Sequence, residues 1–367
     1  SESESSVSSS SSSESDTESI DSDLSSIASS KSSTGDKGDK FSLMVDPAEL
    51  TGKKGIGRMM SYIDTKNPDV KGSYEYKKDV INKYGRIFSK EQIGKYSHKI
   101  NTIIENIVSL SGTVSEGIIL IYSQYIDGGL IPVALALEEI GFTRYGDNVK
   151  SLFKTPPVEK SDVYTMRPKI KNKSFTPAKY TMITGDIRLS PNTEADIRAI
   201  TNKNNSDGRN IKVVLISKAG SEGIDFKFIR QVHVLEPWYN MSQIEQIIGR
   251  AVRNGSHKDL PFEKRNVQIF MHGTILQDNK EESADVYIYR VAEYKAVQIG
   301  KVSRVLKEGA VDCIINQAQN NFTQANMETF LDEKITQILS SGKTFHDFKI
   351  GDIPYSQNCD YMETCDY

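Results

Sequence analysis

Gln246-Ile247-Ile248-Gly249-Arg250-Ala251-Val252-Arg253 is the stretch on which the reading of this chain turns. Ser242 followed three residues later by Glu245 reads as a capping box, so the spacing predicts a helix from Gln243, with Gly255 as its stop. On such a helix Gln246, Arg250 and Arg253 stand at i, i+4 and i+7 and share one narrow stripe. Ile244, Ile247, Ile248, Ala251 and Val252 take the opposite face and form its expected core side. Two guanidinium groups and an amide on one face of a half-buried helix suit a polyanion. Taken alone, a charge stripe of this kind is more often a solvated face.

The segment just upstream changes that balance. Residues 211–216 are apolar and β-branched and read as a buried parallel strand. They lead into Ser217-Lys218-Ala219-Gly220-Ser221-Glu222-Gly223-Ile224-Asp225-Phe226, whose glycines let backbone approach phosphates or sugars closely. Asp225 offers a carboxylate able to take both hydroxyls of a ribose. A second strand is predicted at 231–235, and Glu236-Pro237-Trp238-Tyr239-Asn240 then leads into the arginine helix. The glycine loop by itself is weak evidence. Strand, loop, strand and arginine helix in this order are specific.

At this point the chain resembles a known family. The two segments are similar to motifs V and VI of superfamily 2 helicases and translocases, and Q-x-x-G-R-x-x-R after Pro-Trp-Tyr-Asn has the form seen in SWI/SNF-type remodellers and their viral relatives. It departs from the DEAD-box form, which carries a histidine and a third arginine. Tyr96-Ser97-His98-Lys99-Ile100, residues 117–130 around Ile121-Tyr122-Ser123-Gln124-Tyr125, Arg253-Asn254-Gly255-Ser256-His257 and Gly57-Arg58-Met59-Met60-Ser61-Tyr62 resemble segments of the proteins of poxviruses, asfarviruses and mimiviruses. Among these, the chain looks like the C-terminal lobe of the nucleoside triphosphatase I and early transcription factor ATPase families, over roughly residues 50–310.

The resemblance implies roles residue by residue. Arg250 and Arg253 would be arginine fingers reaching the γ-phosphate of ATP held between two lobes, and Gln246 would hold phosphate or the attacking water. Guanidinium geometry suits bidentate contact with phosphate oxygens. Asp225 would bind the ribose and Gly223 would let the backbone pass close to it. Ser217, Lys218, Ser123 and Gln124 would touch the nucleic-acid backbone, although plain surface exposure explains Lys218 and Ser123 as well. ATP is the implied cofactor, with magnesium held by a first lobe. The implied partners are DNA or RNA, that N-terminal RecA-like lobe and a viral RNA polymerase, in the virion and the host-cell cytoplasm. Two other readings stay open: a helicase-derived module that bridges nucleic acid and polymerase without catalysis, and a cellular chromatin remodeller.

A P-loop ATPase also needs G-x-x-x-x-G-K-[ST] and an acidic pair for magnesium, and neither is found in this sequence. Gly342-Lys343-Thr344 imitates the end of the motif, but the first glycine would fall on Gln337, and residues 332–339 read as a helix. The chain is therefore expected to carry one lobe of a two-lobe motor and not to hydrolyse ATP alone. A serine at position 1 fits a piece of a longer protein.

The formal net charge is -3, yet residues 1–40 hold nine acidic and three basic residues, which leaves +3 for the rest. Nineteen serines in that segment predict a disordered linker, which an acid-directed kinase would charge further. Cys313, Cys359 and Cys365 form no CxxC pair, so neither a metal site nor a disulfide framework is expected, and no apolar run reaches membrane-span length. Alternating strands (118–122, 180–184, 211–216, 231–235, 268–271) and helices (99–110, 130–140, 191–201) predict an α/β fold, a RecA-like parallel sheet covered on both faces. The expected organisation is a linker at 1–40, an inter-lobe connecting segment at 41–100, the RecA-like helicase C-terminal domain at 101–275 and a mainly helical extension at 276–367. In that extension Tyr287, Tyr289, Val291, Tyr294 and Val297 are expected to be a core stripe.

Overall fold

A computed structural model describes residues 52–65, 71–109, 112–147, 149–218, 223–276, 281–311, 335–348 and 354–363. The expected disorder of 1–40 and the loop residues 219–222 lie outside these. In chain order the elements are α1 (Gly52–Met59), β1 (Met60–Ile63), β2 (Ser73–Tyr76), α2 (Lys78–Tyr84), α3 (Ile93–Tyr96), α4 (His98–Ile107), β3 (Ile118–Tyr122), α5 (Ile131–Glu139) and β4 (Thr143–Arg144). There follow β5 (Lys179–Ile183), α6 (Thr193–Thr201), β6 (Val213–Ile216), β7 (Ile229–Val234), α7 (Met241–Ala251), β8 (Gln268–Met271), α8 (Ala284–Glu308), β9 (Ile335–Ile338) and β10 (Thr344–Phe348).

Six strands form one sheet in the order β4-β5-β6-β3-β7-β8, and every pair in it is parallel. The strands are short apolar runs because both faces are covered. Alternate residues of β3 serve different cores. Ile119 and Ile121 join a layer under α4 and α5, while Ile118, Leu120 and Tyr122 join the layer that holds Ile200 of α6 with Ile247 and Ala251 of α7. The residues expected to connect two lobes pack on the first layer through Met60, Tyr74, Val80, Phe88 and Ile93. Tyr76 donates to Glu139 at 2.6 Å and Arg86 pairs with the same carboxylate, which pins that segment to α5.

Several local expectations need correction. Helix α7 starts at Met241, because the Asn240 side chain accepts the Ser242 N–H at 3.2 Å and displaces Ser242 as cap. It ends at Ala251, with Val252 as its C-cap, so Arg253 lies past the helix and Val252 is 49 % exposed. Helix α6 begins at Thr193 rather than beside Pro191. The stripe on α8 is also different. Tyr287 and Tyr294 are 48 % and 66 % exposed, whereas Ala292, Ala296 and Gly300 are buried. A Cβ on Gly300 would stand 1.7 Å from the Asp360 carbonyl, so a small residue is required where residues 354–363 cross the helix. Asp360 is held there by Arg304 at 3.0 Å and Lys307 at 2.6 Å.

Residues 335–338, expected to be helical, pair antiparallel with β10 in a hairpin. The missing glycine at position 337 remains the reason that Lys343 is no phosphate-loop lysine. Cys359 is fully buried and disulfide-bonded, where no disulfide framework was expected. Among the described residues no helix is long and apolar enough to cross a membrane, and no group of three metal-ligating side chains occurs.

Candidate nucleotide and nucleic-acid interface

Three neighbouring strands, β6, β3 and β7, end level with one another. Tyr122 stands opposite Ile216 on one side and Val234 on the other. The chain leaves β3 toward one edge of the sheet, returns to β6, and crosses β3 to reach β7. The carboxyl ends of strands at such a crossing open a crevice between diverging loops, the usual place for a ligand in this architecture. The Ser123-Gln124 loop, the Ser217-Lys218 loop and the lead into α7 therefore share one edge.

The glycine loop and the arginine helix are docked together there. The Arg250 guanidinium donates to the Ile224 carbonyl at 3.4 Å, and the Phe226 N–H donates to the Arg250 carbonyl at 3.3 Å. Asp225, between those two residues, pairs with Arg253. Both side chains of that pair are more than half exposed, at 58 % and 52 %, so the pair is exchangeable. Arg250 Nε is buried and has no hydrogen-bond partner among the described residues. Gly223 has φ +73°, left-handed backbone that favours glycine. Gln246 projects from the exposed side of α7. Gly223, Asp225, Arg250 and Arg253 thus sit on one docked pair of segments.

The expected nucleic-acid contacts are placed less uniformly. Lys218 is exposed, with its ammonium 5.1 Å from the centre of the Trp238 ring, a cation–π distance that props the lysine over the lead into α7. Ser217 is buried at 3 % exposure, and its N–H donates to the Ile183 carbonyl at 3.1 Å. Ser123 is fully buried, so its hydroxyl cannot reach a nucleic-acid backbone; it lies 2.9 and 3.0 Å from the two oxygens of Glu236. The Gln124 N–H donates to the same carboxylate, and the Gln124 side chain is half-buried. Ser123 therefore shapes the loop.

Glu236 is the residue that motif reading overlooked. Its carboxylate gathers the loop after β3 to the segment after β7. Burial pushes its pKa up to about 6, against the opposing pull of the Gln124 N–H, the Ser123 hydroxyl and the Lys99 ammonium. Lys99 itself pairs with Asp285 at 2.6 Å. Beneath this cluster His233 and His272 face each other at 3.0 Å, and burial holds His233 down to about 3. In the sequence Glu236 is marked only as the first residue of the segment that leads into the arginine helix. Its partners lie more than a hundred residues away.

Comparisons with known proteins point to a family. Residues 154–255 match the family described as Helicase conserved C-terminal domain. Over 145 residues the chain is 36 % identical to a protein named as an ATP-dependent RNA helicase in Acanthamoeba polyphaga mimivirus, covering 38 % of this chain and 18 % of that one. It is 38 % identical over 123 residues to nucleoside triphosphatase I of Heliothis armigera entomopoxvirus, covering 34 % and 19 %. It is 29 % identical over 245 residues to a termination factor NPH-I homolog of African swine fever virus, covering 60 % and 33 %. The chain spans a third or less of the length of these relatives. The glycine loop and the arginine helix at the carboxyl edge of a parallel sheet, with the family match over residues 154–255, make this a RecA-like superfamily 2 helicase C-terminal domain, similar to those viral proteins.

Proposed function

We propose that this lobe is the arginine-finger half of a nucleic-acid-dependent ATPase motor. ATP would lie between it and a first lobe that supplies the phosphate loop and the magnesium ligands. The observation that carries this reading is the docking of the glycine loop on α7, with Asp225 paired to Arg253 and the Arg250 guanidinium bonded to the Ile224 carbonyl. In the closed motor Arg253 would exchange Asp225 for phosphate oxygens, which frees the Asp225 carboxylate for ribose hydroxyls. Each side chain thereby keeps the other solvated and oriented until the cleft closes. A finger acts on charge that develops as the phosphoryl group transfers, and in comparable systems contributes roughly 10³–10⁵ in rate.

The nucleic-acid track on this lobe would run past Lys218 and Gln124. Its loops are held at a common height by the level strand ends and by Glu236. A relative named as a viral termination factor supports a role in viral transcription; the setting would be the virion or host cytoplasm and the partner a viral RNA polymerase. Taken alone, the lobe would hydrolyse nothing, because the groups that hold magnesium and cradle the phosphates belong to the other lobe. The test is nucleic-acid-stimulated hydrolysis by the full-length parent protein, wild type against Arg253→Ala and Arg250→Ala. Turnover should fall by orders of magnitude with nucleic-acid affinity largely kept. Unchanged turnover in both variants, or none in the wild type, would remove the motor and leave a non-catalytic bridging module.

A further inference from the structure

The opposite end of the same sheet carries chemistry that the motor does not use. A pocket of about 510 Å³ opens at the amino ends of β3, β6 and β7, lined among others by Ser115, Glu116, Asp207, Lys212, Arg230 and Lys264. Lys212 immediately precedes β6 and is 3 % exposed, with its ammonium donating to the Ser115 carbonyl. The Ser115 hydroxyl is buried and has no hydrogen-bond partner among the described residues.

The charges around this lysine are committed elsewhere. Glu116 is held by Lys264 at 3.0 Å and, more loosely, by Arg230 at 3.9 Å. Asp207 is held by Arg209 at 2.9 Å and by the Tyr164 hydroxyl at 2.9 Å. Neither carboxylate forms an ion pair with Lys212; they act on it only at a distance. Burial lowers its pKa to about 8, which Glu116 and Asp207 partly oppose and Arg230 reinforces. A desolvated ammonium with spare donor capacity, a hydroxyl with no partner among the described residues, and a guanidinium that Asn266 holds at 2.9 and 2.8 Å with its third nitrogen 3.9 Å from Glu116 all border one cavity. Such a set is costly when empty and is stabilised by an incoming anion. Three cations line it against two carboxylates, which disfavours a cationic ligand.

We propose that this pocket binds a phosphate-class oxyanion, with Lys212 and Ser115 as its inner ligands and Arg230 at its rim. The site is independent of the crevice at the carboxyl edge, and of whether that crevice serves a motor. The ammonium is held at the carbonyl of the residue that carries the hydroxyl, and such a set suits a tetrahedral oxyanion, which can accept from both and turn a further oxygen to the guanidinium.

The experiment is thermal unfolding and isothermal titration of the whole chain at fixed pH and ionic strength, with inorganic phosphate, O-phosphoserine and chloride as probes. Lys212→Met and Ser115→Ala are compared with wild type. The wild-type midpoint should rise and saturate with phosphate, by roughly 2–4 °C, and show one site by titration. Lys212→Met removes a desolvated charge, so it should fold at least as well without phosphate yet lose the saturating rise. Ser115→Ala should bind at least about fivefold more weakly, and it tests the site should Lys212→Met fail to fold. A response to O-phosphoserine exceeding that to inorganic phosphate would support the site and assign it to a phosphate monoester. No response beyond chloride to either probe, or an equal response in the variants, would overturn it.

Discussion

The two ends of the central sheet handle positive charge in opposite ways. At the carboxyl edge Arg253 reaches across to Asp225 from a neighbouring segment, and both remain half in solvent. At the amino edge Lys212 is buried, bound to a carbonyl, with its neighbours' carboxylates tied to other cations. An exposed pair between two loops is worth little to stability and can change partners quickly. A buried ammonium is fixed before any ligand arrives. The first design suits a cleft that opens and closes, the second a site that only fills and empties.

The sharpest way to break this comparison is Arg253→Ala in the parent protein. Loss of about 10³-fold or more in nucleic-acid-stimulated turnover is expected, with the folded lobe unchanged by circular dichroism. Loss of folding instead would make Arg253 a structural tie. Next in size is Gly129→Ala, whose Cβ would stand 2.0 Å from Ser123 Oγ and 2.8 Å from its Cβ. Overpacking at that buried seat should cost about 1–3 kcal/mol in denaturant unfolding. Ser123→Ala in the same background should recover part of that cost.

Protonation sharpens the picture further. Glu236 has its pKa raised to about 6 in the folded chain, so its burial cost is absent at low pH and develops as pH rises from its ordinary 4.5 through 6. Glu236→Gln should therefore be more stable than wild type above pH 6, by up to about 2 kcal/mol, and equal to it below pH 4.5. His233 has the opposite sign. Held down to about 3, it contributes stability above its ordinary 6.5 that is lost as pH falls toward 3. With Glu236 replaced, acid unfolding should thus begin nearer pH 6.5, as measured by denaturant titrations across the range. The smallest effect is expected from Tyr361→Phe, which deletes the hydroxyl that donates to Glu245 and should cost about 1 kcal/mol.

Much of the sheet was legible because a strand buried on both faces announces itself as a β-branched run. Residues 118–122 and 268–271 form strands at the bounds read from sequence, and the others shift by one or two residues. The motif spacing was legible for the same reason. It is local, and it survives although Arg253 sits beyond the helix rather than on it. What escaped depends on distant neighbours. Glu236 acquires its role only because β7 pairs with β3, which brings Ser123 and Gln124 alongside. On α8 the largest residues caught the eye, yet the close crossing of residues 354–363 selects the small ones. At 335–338, pairing with β10 overrides a helical local preference.

The short crossing segment also has a mechanical meaning. Asp360 is bolted to Arg304 and Lys307 on α8, and the adjacent Tyr361 grips Glu245 on α7, one residue before Gln246. Helix α8, with 25 residues, is about 37 Å long. It is a stiff rod fastened near one end to the helix that carries Arg250. A push on the C-terminal end of that rod would pass, through two consecutive side chains, to the middle of the arginine helix.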